Sequence, residues 1–326
     1  MSIKHYFASA NSGVGFTNLF QNINNNGFTY VIKGGSGTGK STLMKKVGEY
    51  FSQKGFCVEF FHCSADAQSL DGVRICEKNI AIVDGTAPHI CDVSYPGVDG
   101  KILDVGTFVD SKIKVYENDI KEIVSRKQMH YKDFYGYLNV IYDLQKINQN
   151  NHKNFENNVF FEENEKILKN FNIKSQNKIG KIRELFFDSL QENGFVNFVN
   201  ENNYKKVVEI QKDIFCLNQQ LNLLKESFVQ NGYDVIVLKN CVMPELISAV
   251  AVPEIDAIVV GKDVGLDSEV FVNNKPMIEK LLCLAQNSIR LAKSEHKKLE
   301  EIYILNMNFK PLEKLTKNVI EEIVKK

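Results

Sequence analysis

A chain of 326 residues and 37.1 kDa with 44% hydrophobic content can fill the core of one large or two ordinary domains. Its 40 basic and 40 acidic residues cancel, so no global field draws it to nucleic acid or an anionic membrane, and neither is among the expected partners. Seven cysteines without a C-x-x-C pair argue against a disulfide frame or zinc site, and the sequence has no apolar leader or run approaching ~20 apolar residues, so a cytoplasmic protein without a membrane span is expected.

In chain order, "FTYVIKGG" from Phe28 predicts a short strand ending in glycines, and "STLMKKVGEYFSQKG" from Ser41 a helix stopped at Gly55. "FCVEFFHC" (Phe56 to Cys63) and "IAIVDG" (Ile80 to Gly85) predict two more strands, buried on both faces of a parallel sheet. "SYPGVDGKILDVG" (Ser94 to Gly106) reads as a surface loop near the same sheet edge. From Ser111, apolar residues at three- and four-residue steps (Ile113, Tyr116, Ile120 and Ile123, then Phe134, Leu138 and Ile141) predict long amphipathic helices. An Asn-rich hinge follows at Asn148 to Asn158, and "FFEENEKILKNFNIKS" from Phe160 reads as the returning arm of a helical hairpin.

Several stretches recur in order at nearly constant spacing. "GFTN" at Gly15 returns as "GFVN" at Gly194, "QKGFCVEFFHC" at Gln53 as "QNGYDVIVLKNC" at Gln230, and "AIVDG" at Ala81 as "AIVVG" at Ala257. "FVDSK" at Phe108 and "HYKDFYGYLN" at His130 have looser partners at Phe271 and His296. The expected fold is α/β, with P-loop NTPase-type parallel sheets in two tandem halves and long helical hairpin extensions. Its expected divisions are 1–110, a P-loop ATP-binding domain; 111–178, a helical extension; 179–275, a degenerate P-loop-like domain; and 276–326, a C-terminal helical extension.

Gly34, Gly39, Lys40 and Ser41 satisfy G-x-x-x-x-G-K-[ST]. Across Gly34, Gly35, Ser36, Gly37, Thr38 and Gly39, small residues let backbone N–H groups turn toward a phosphate, and the helix opening at Lys40, Ser41 and Thr42 offers its positive end to the same anion. Lys40 would bridge the β and γ phosphates of ATP, while Ser41 would ligate Mg²⁺ and Asp84, ending an apolar strand, would hold it through a water. Gly85 follows Asp84, where a fast ATPase often has glutamate to activate water. Asp66 is the candidate for orienting water or an acceptor hydroxyl; within "FFHCSADAQSLDGV", His62, Ser64 and Asp66 fall at the carboxyl end of the second strand, the edge at which open α/β folds bind ligands, and Asp71 in the loop beyond. His62 and His89 are candidate anion contacts or hydrogen-bonded structural residues. In the second half the corresponding segment, "VVEIQKDIFCLNQQLNLLK" from Val207, has no glycine and has Cys216 or a neighbour at the lysine position.

Together "KHYFASANSGVGF", "IKGGSGTGKSTLMKKVG", "FFHCSADAQSLDGV" and "IAIVDGTAPHICD" resemble a bacterial family of tandem P-loop proteins described as ATPases or nucleotide kinases, within the P-loop nucleoside triphosphate hydrolase superfamily. The resemblance covers the first half and, more loosely, the second, and it implies the fold and ATP binding. In that family the second half carries a phosphate loop as well; this chain departs there, which leaves one active site around Lys40. The expected function is a slow Mg²⁺-dependent ATPase. A kinase for a small molecule or nucleotide held by the loops after Phe61 and Asp84, and a nucleotide-gated module with negligible turnover and a protein partner, are the alternatives.

Overall fold

The computed structural model describes residues 3–25, 27–88, 91–151, 158–265 and 269–326. The chain begins with strand Ile3–Phe7 (β1) and a hairpin of Ser9–Ser12 (β2) and Gly15–Asn18 (β3). Strand Phe28–Lys33 (β4), helix Lys40–Gln53 (α1) and strands Val58–His62 (β5), Leu70–Ile75 (β6), Ile80–Asp84 (β7) and Gly100–Asp104 (β8) follow. Helices Glu117–Asn150 (α2) and Asn158–Asn170 (α3) lead to a second series: Ile182–Phe186 (β9), Asp188–Gln191 (β10), Gly194–Asn197 (β11), Lys206–Lys212 (β12), helix Ile214–Gln230 (α4), Val235–Lys239 (β13), Ile247–Val252 (β14) and Ala257–Asp263 (β15). Helices Glu269–Leu305 (α5) and Phe309–Lys325 (α6) close the chain.

Strand alternation divides the apolar residues between two cores. Tyr30 and Ile32 of β4 and Ile80 and Ile82 of β7 face α1, whose Leu43, Met44, Val47 and Phe51 meet them at helical spacing. Val31, Ala81 and Val83, one residue out of phase, join the core on the opposite face with Tyr6 and Phe61. Burial on both faces explains why these strands read as unbroken apolar runs, and each large side chain so enclosed contributes about 2 kcal/mol.

All the long strands belong to a single 11-stranded sheet in the order β12-β15-β14-β13-β9-β1-β5-β6-β7-β4-β8. The expectation of separate sheets is therefore corrected: β1 and β9 pair antiparallel, through Phe7 and Phe186, and fuse the two series edge to edge. On one side the order from the junction is β1-β5-β6-β7-β4, on the other β9-β13-β14-β15-β12. Each series runs parallel except for one strand, β6 or β14, inserted antiparallel between its neighbours. Both β6, within the stretch read as a loop after β5, and β8, within the Ser94 to Gly106 stretch, are strands that the sequence reading missed. In β6, Asp71 and Gly72 look like turn residues, yet Asp71 is buried and its carboxylate accepts a hydrogen bond from Ser9 Oγ at 3.4 Å.

The helical hairpin also needs correction. Rather than folding back beside α2, α3 places Ile167 and Phe171 in the core under α4. The partner of α2 is α5 from the far end of the chain, running antiparallel: Arg126 Nε lies 3.0 Å from Glu295 Oε2 near one end, and Asn274 Nδ2 donates to Asn148 Oδ1 at 3.0 Å near the other. The stretches from His130 and His296 both lie on these long helices, whereas Phe108 to Lys112 lies in 3₁₀ turns and Phe271 to Lys275 within α5, so that pairing of sequences has no structural counterpart. Past α5, α6 returns to the first series and adds Leu312, Val319 and Ile323 to the core around α1. Part of the Asn-rich hinge lies outside the described residues. Among the described residues no helix is long and apolar enough to cross a membrane.

Candidate nucleotide site

Between β4 and α1 the backbone reverses through Gly34 to Gly39. Gly37 and Gly39 have φ of 70° and 83°, in the left-handed region where a side chain would be strained. Thr38 is buried and its Oγ1 donates to the Gly35 carbonyl at 2.8 Å, which draws the turn together. Gly39 is the N-cap of α1, and among the described residues no side-chain hydrogen bond caps that helix. An uncapped helix N-terminus beneath a glycine turn is an arrangement of backbone donors suited to an anion.

Lys40 is directed back over this turn. Its Nζ donates to the carbonyls of Gly34 (2.9 Å) and Gly35 (2.8 Å) and lies 3.6 Å from Asp84 Oδ2. The last contact follows from topology, since β7 pairs directly with β4 and aligns Asp84 with Ile32, just before the loop. Thr86, which sequence reasoning did not single out, ties the two elements: its amide donates to Asp84 Oδ1 at 2.8 Å and its hydroxyl donates to the Gly34 carbonyl at 3.0 Å. Ser41 Oγ accepts from the Leu70 amide at 3.0 Å, which anchors the start of α1 to the start of β6; Thr42 beside it is exposed.

The Ser41 hydroxyl and the Asp84 carboxylate are hard oxygen donors, and two such protein ligands suit Mg²⁺, which keeps several waters and takes its other ligands from nucleotide phosphates. Among the described residues no group of three or more His, Cys, Asp or Glu gathers as an all-protein cage. The donor set fits a nucleotide-borne ion.

Asp66 sits in the turn after β5. Its Oδ2 accepts from Ser69 Oγ at 3.0 Å and its Oδ1 lies 3.1 Å from Lys293 Nζ on α5. Burial alone would raise its pKa, but the Lys293 and Ser69 contacts hold the carboxyl below its usual range. It makes no hydrogen bond or ion pair with Lys40 or Asp84 among the described residues, so the loop lysine and the two aspartates do not form one contiguous cluster.

His62 resolves as a structural residue. Its Nδ1 donates to the Ala67 carbonyl at 2.6 Å, its Nε2 accepts from His5 Nδ1 at 2.8 Å, and Phe198 packs on its ring with centroids 4.2 Å apart. Burial pushes its pKa down to about 4, and it is a neutral spacer rather than an anion contact. Ser64 is likewise enclosed, its carbonyl accepting from Ser189 Oγ at 2.5 Å and its hydroxyl from Asn11 Nδ2 at 3.3 Å. His89 lies outside the described residues.

What covers the loop was hidden in the sequence. A side chain on Gly35 would begin 2.5 Å from the Tyr303 ring, one on Gly37 2.8 Å from the Glu300 carbonyl oxygen, and one on Gly39 2.5 Å from Leu312. The end of α5 and the start of α6 thus rest against the glycine turn, at contact distances only glycine permits.

In the second series the loop is deleted, not substituted as the alignment of Cys216 with the lysine position implied. After Lys212, the end of β12, one residue leads into α4: Asp213, whose carboxylate accepts from the amides of Phe215 and Cys216, both at 3.0 Å. The amino end of α4 therefore carries its own covalent anion, where that of α1 has none.

No family model, curated protein or solved structure matches this chain.

Proposed function

We propose that the chain is a Mg²⁺-dependent ATP-binding protein that passes the terminal phosphoryl group slowly to water at a single site around Lys40. In the same reading it has a P-loop fold in two tandem copies and belongs with the bacterial family its sequence resembles. The observation that carries the proposal is Lys40 itself: an ammonium laid over a left-handed glycine turn, 3.6 Å from a carboxylate on the adjacent strand and above a helix end that no side chain caps among the described residues. The repeated strand order and the self-pairing at Phe7 and Phe186 support a duplication. Asp213 supports a single site, because a carboxylate fixed at the amino end of α4 repels a phosphate from that position. All seven cysteines are free thiols, which suits the cytoplasmic location included in this reading.

On nucleotide binding, Lys40 would exchange the carbonyls of Gly34 and Gly35 for phosphate oxygens, and the loop amides would turn to the same group. Ser41 and Asp84 would hold Mg²⁺, which supplies neutralisation of the phosphate charge. Slow turnover accords with Gly85 after Asp84 and with the engagement of Asp66 by Lys293. That same ion pair favours one second reading, a small-molecule or nucleotide kinase: a carboxylate kept ionised at the carboxyl end of β5 can accept a hydroxyl proton from an acceptor seated there.

Lys40→Ala should abolish nucleotide binding in titration calorimetry, and unchanged affinity would refute the site. With γ-labelled ATP and a metabolite pool, label released only as inorganic phosphate supports the ATPase, whereas a labelled metabolite replaces it with the kinase.

A further inference from the structure

Cys57 and Cys76 lie apart in the sequence, where no C-x-x-C spacing marks them, but the pairing of β5 with β6 brings them together. The two strands run antiparallel with Val58 opposite Ile75 and Glu59 opposite Arg74. Cys57, one residue before β5, therefore stands opposite Cys76, one residue after β6. The Cys76 amide donates to the Cys57 carbonyl at 3.0 Å, which carries the ladder through this pair. Both oxygens of the Glu77 carboxylate accept from the Cys57 amide at 3.0 Å and hold the backbone on its other side. Opposed residues put their side chains on one face of a sheet. The next pair along that face makes the contact: Arg74 Nη1 lies 3.2 Å from Glu59 Oε2.

Hydrogen-bonded opposed residues hold their Cα atoms about 5.5 Å apart and opposed Cβ atoms lie about 4.5–5.5 Å apart. A disulfide takes Cα separations of about 4.4–6.8 Å and Cβ separations of about 3.5–4.5 Å. The backbone spacing already suits the bond, and an approach of roughly an ångström between the Cβ atoms completes it. That approach falls at the open end of the hairpin, where the ladder stops. Both cysteines are half-buried free thiols. Among the described residues no other two cysteines face each other across paired strands: Cys216 and Cys283 lie on α4 and α5, Cys63 meets Ser69, and Cys91 and Cys241 stand in loops. The Cys57 thiol, and burial after it, push the Cys76 thiol well above its ordinary range. Cys76 keeps its proton the longer, which leaves Cys57 as the attacking sulfur.

We propose that Cys57 and Cys76 form a reversible dithiol–disulfide site that exchanges with low-molecular-weight disulfides. Cys57 gives its proton to water and attacks one sulfur of the small disulfide, releasing one small thiolate and leaving a mixed disulfide. Cys76 then loses its proton and attacks the Cys57 sulfur, releasing the second. The protein gives up two protons and two electrons, and the small disulfide becomes two thiols. The new bond ties the open end of the β5–β6 hairpin, at the end of β6 remote from the contact between the Leu70 amide and Ser41 Oγ. Because its Cβ atoms must draw in, the bond is of the readily reduced kind, and a small thiol reverses it. The site stands on strand register and does not depend on nucleotide binding.

The test is incubation of the full reduced chain, folded, with excess oxidised glutathione, followed by alkylation of the remaining thiols and tryptic mass mapping. Two of the seven thiols should escape alkylation, with the peptide from Gly55 to Arg74 joined to that from Ile75 to Lys78. The longer peptide also carries Cys63, so fragmentation of the joined pair should find the alkyl group on Cys63. Excess reduced glutathione should return all seven thiols to alkylation. Cys76→Ser, which keeps the attacking sulfur and removes the resolving one, should stop at a glutathione adduct on Cys57. Seven alkylated thiols after oxidation of the wild type, a lasting glutathione adduct on wild-type Cys57, or a bond made through Cys63 would each overturn the inference.

Discussion

His62 should make the fold acid-sensitive well above the range in which carboxylates titrate. Its two ring nitrogens are both used by the neutral form: Nδ1–H donates to the Ala67 carbonyl at 2.6 Å and Nε2 accepts from His5 at 2.8 Å. A protonated ring would have to donate from both nitrogens, inside a cluster of Phe7, Phe198 and His5. The group therefore sits at about 4 in the folded protein against 6.5 for an ordinary histidine. Because the folded value is the lower one, the stabilisation is complete above pH 6.5 and is lost as the pH falls from there toward 4. The whole difference is about 3 kcal/mol, of which about 2 kcal/mol falls between pH 7 and pH 5. His5, also lowered by burial, adds to the same slope. Urea unfolding at the two pH values measures it directly. His62→Gln, which keeps a donor and an acceptor without the titration, should flatten the wild-type slope by about 2 kcal/mol. A variant slope equal to the wild type, or a His62 ring titrating near 6.5 by NMR, would refute the reasoning.

Two further outcomes follow from pairs that bridge the elements. Arg183 of β9 reaches Glu59 of β5 at 2.8 and 2.9 Å, with Arg74 on the other side at 3.2 Å. Burial would raise the Glu59 pKa, but the two arginines hold it below the usual glutamate range. Its contribution is accordingly present above that range and lost as the pH falls through it. Arg183→Met should cost about 3 kcal/mol at pH 7 by leaving a buried carboxylate half-compensated; a loss under about 1 kcal/mol in urea unfolding would show the pair to be incidental. Asp84→Asn should lower Mg²⁺-dependent phosphate release about 10²-fold, equivalent to about 3 kcal/mol of charge stabilisation, and unchanged turnover would contradict the metal assignment.

What the sequence disclosed and what it concealed divide along contact range. The loop and its flanks were legible because each signal is local: glycines that permit positive φ, an apolar strand before them and a helical period after them. Strands β5 and β7 were legible for the same reason, as runs buried on both faces. β6 was not, since its Asp71 and Gly72 are turn residues by type and the buried carboxylate accepts from Ser9, far off in the chain. The pairing of α2 with α5 was equally hidden, because an amphipathic stripe says that a helix has a partner without saying which. Tyr303, Glu300 and Leu312 reach the loop from the far end of the chain, and the only trace of them in the sequence is the glycine spacing they require.

The same division explains the second series, where one residue replaces a loop of six, Gly34 to Gly39, and no substitution-by-substitution comparison could find it. Asp213 bonds the amides of Phe215 and Cys216 as a phosphate would bond those at the start of α1, so the covalent anion has made an external one unnecessary. Asp213→Ala should then have two linked effects. It should destabilise the protein by about 1 kcal/mol, the usual cost of losing a carboxylate cap, and it should leave two amides and an uncompensated helix end that an added oxyanion can satisfy. Sulfate stabilises folded proteins in general by exclusion, so the informative quantity is the excess: the melting temperature of Asp213→Ala should rise more steeply with sulfate than that of the wild type. If the two proteins respond in parallel, the carboxylate is an ordinary cap and the comparison between α1 and α4 loses its meaning. A steeper response in the variant would mean that the amino end of α4 can still hold an anion, and that in this series the chain itself has supplied one.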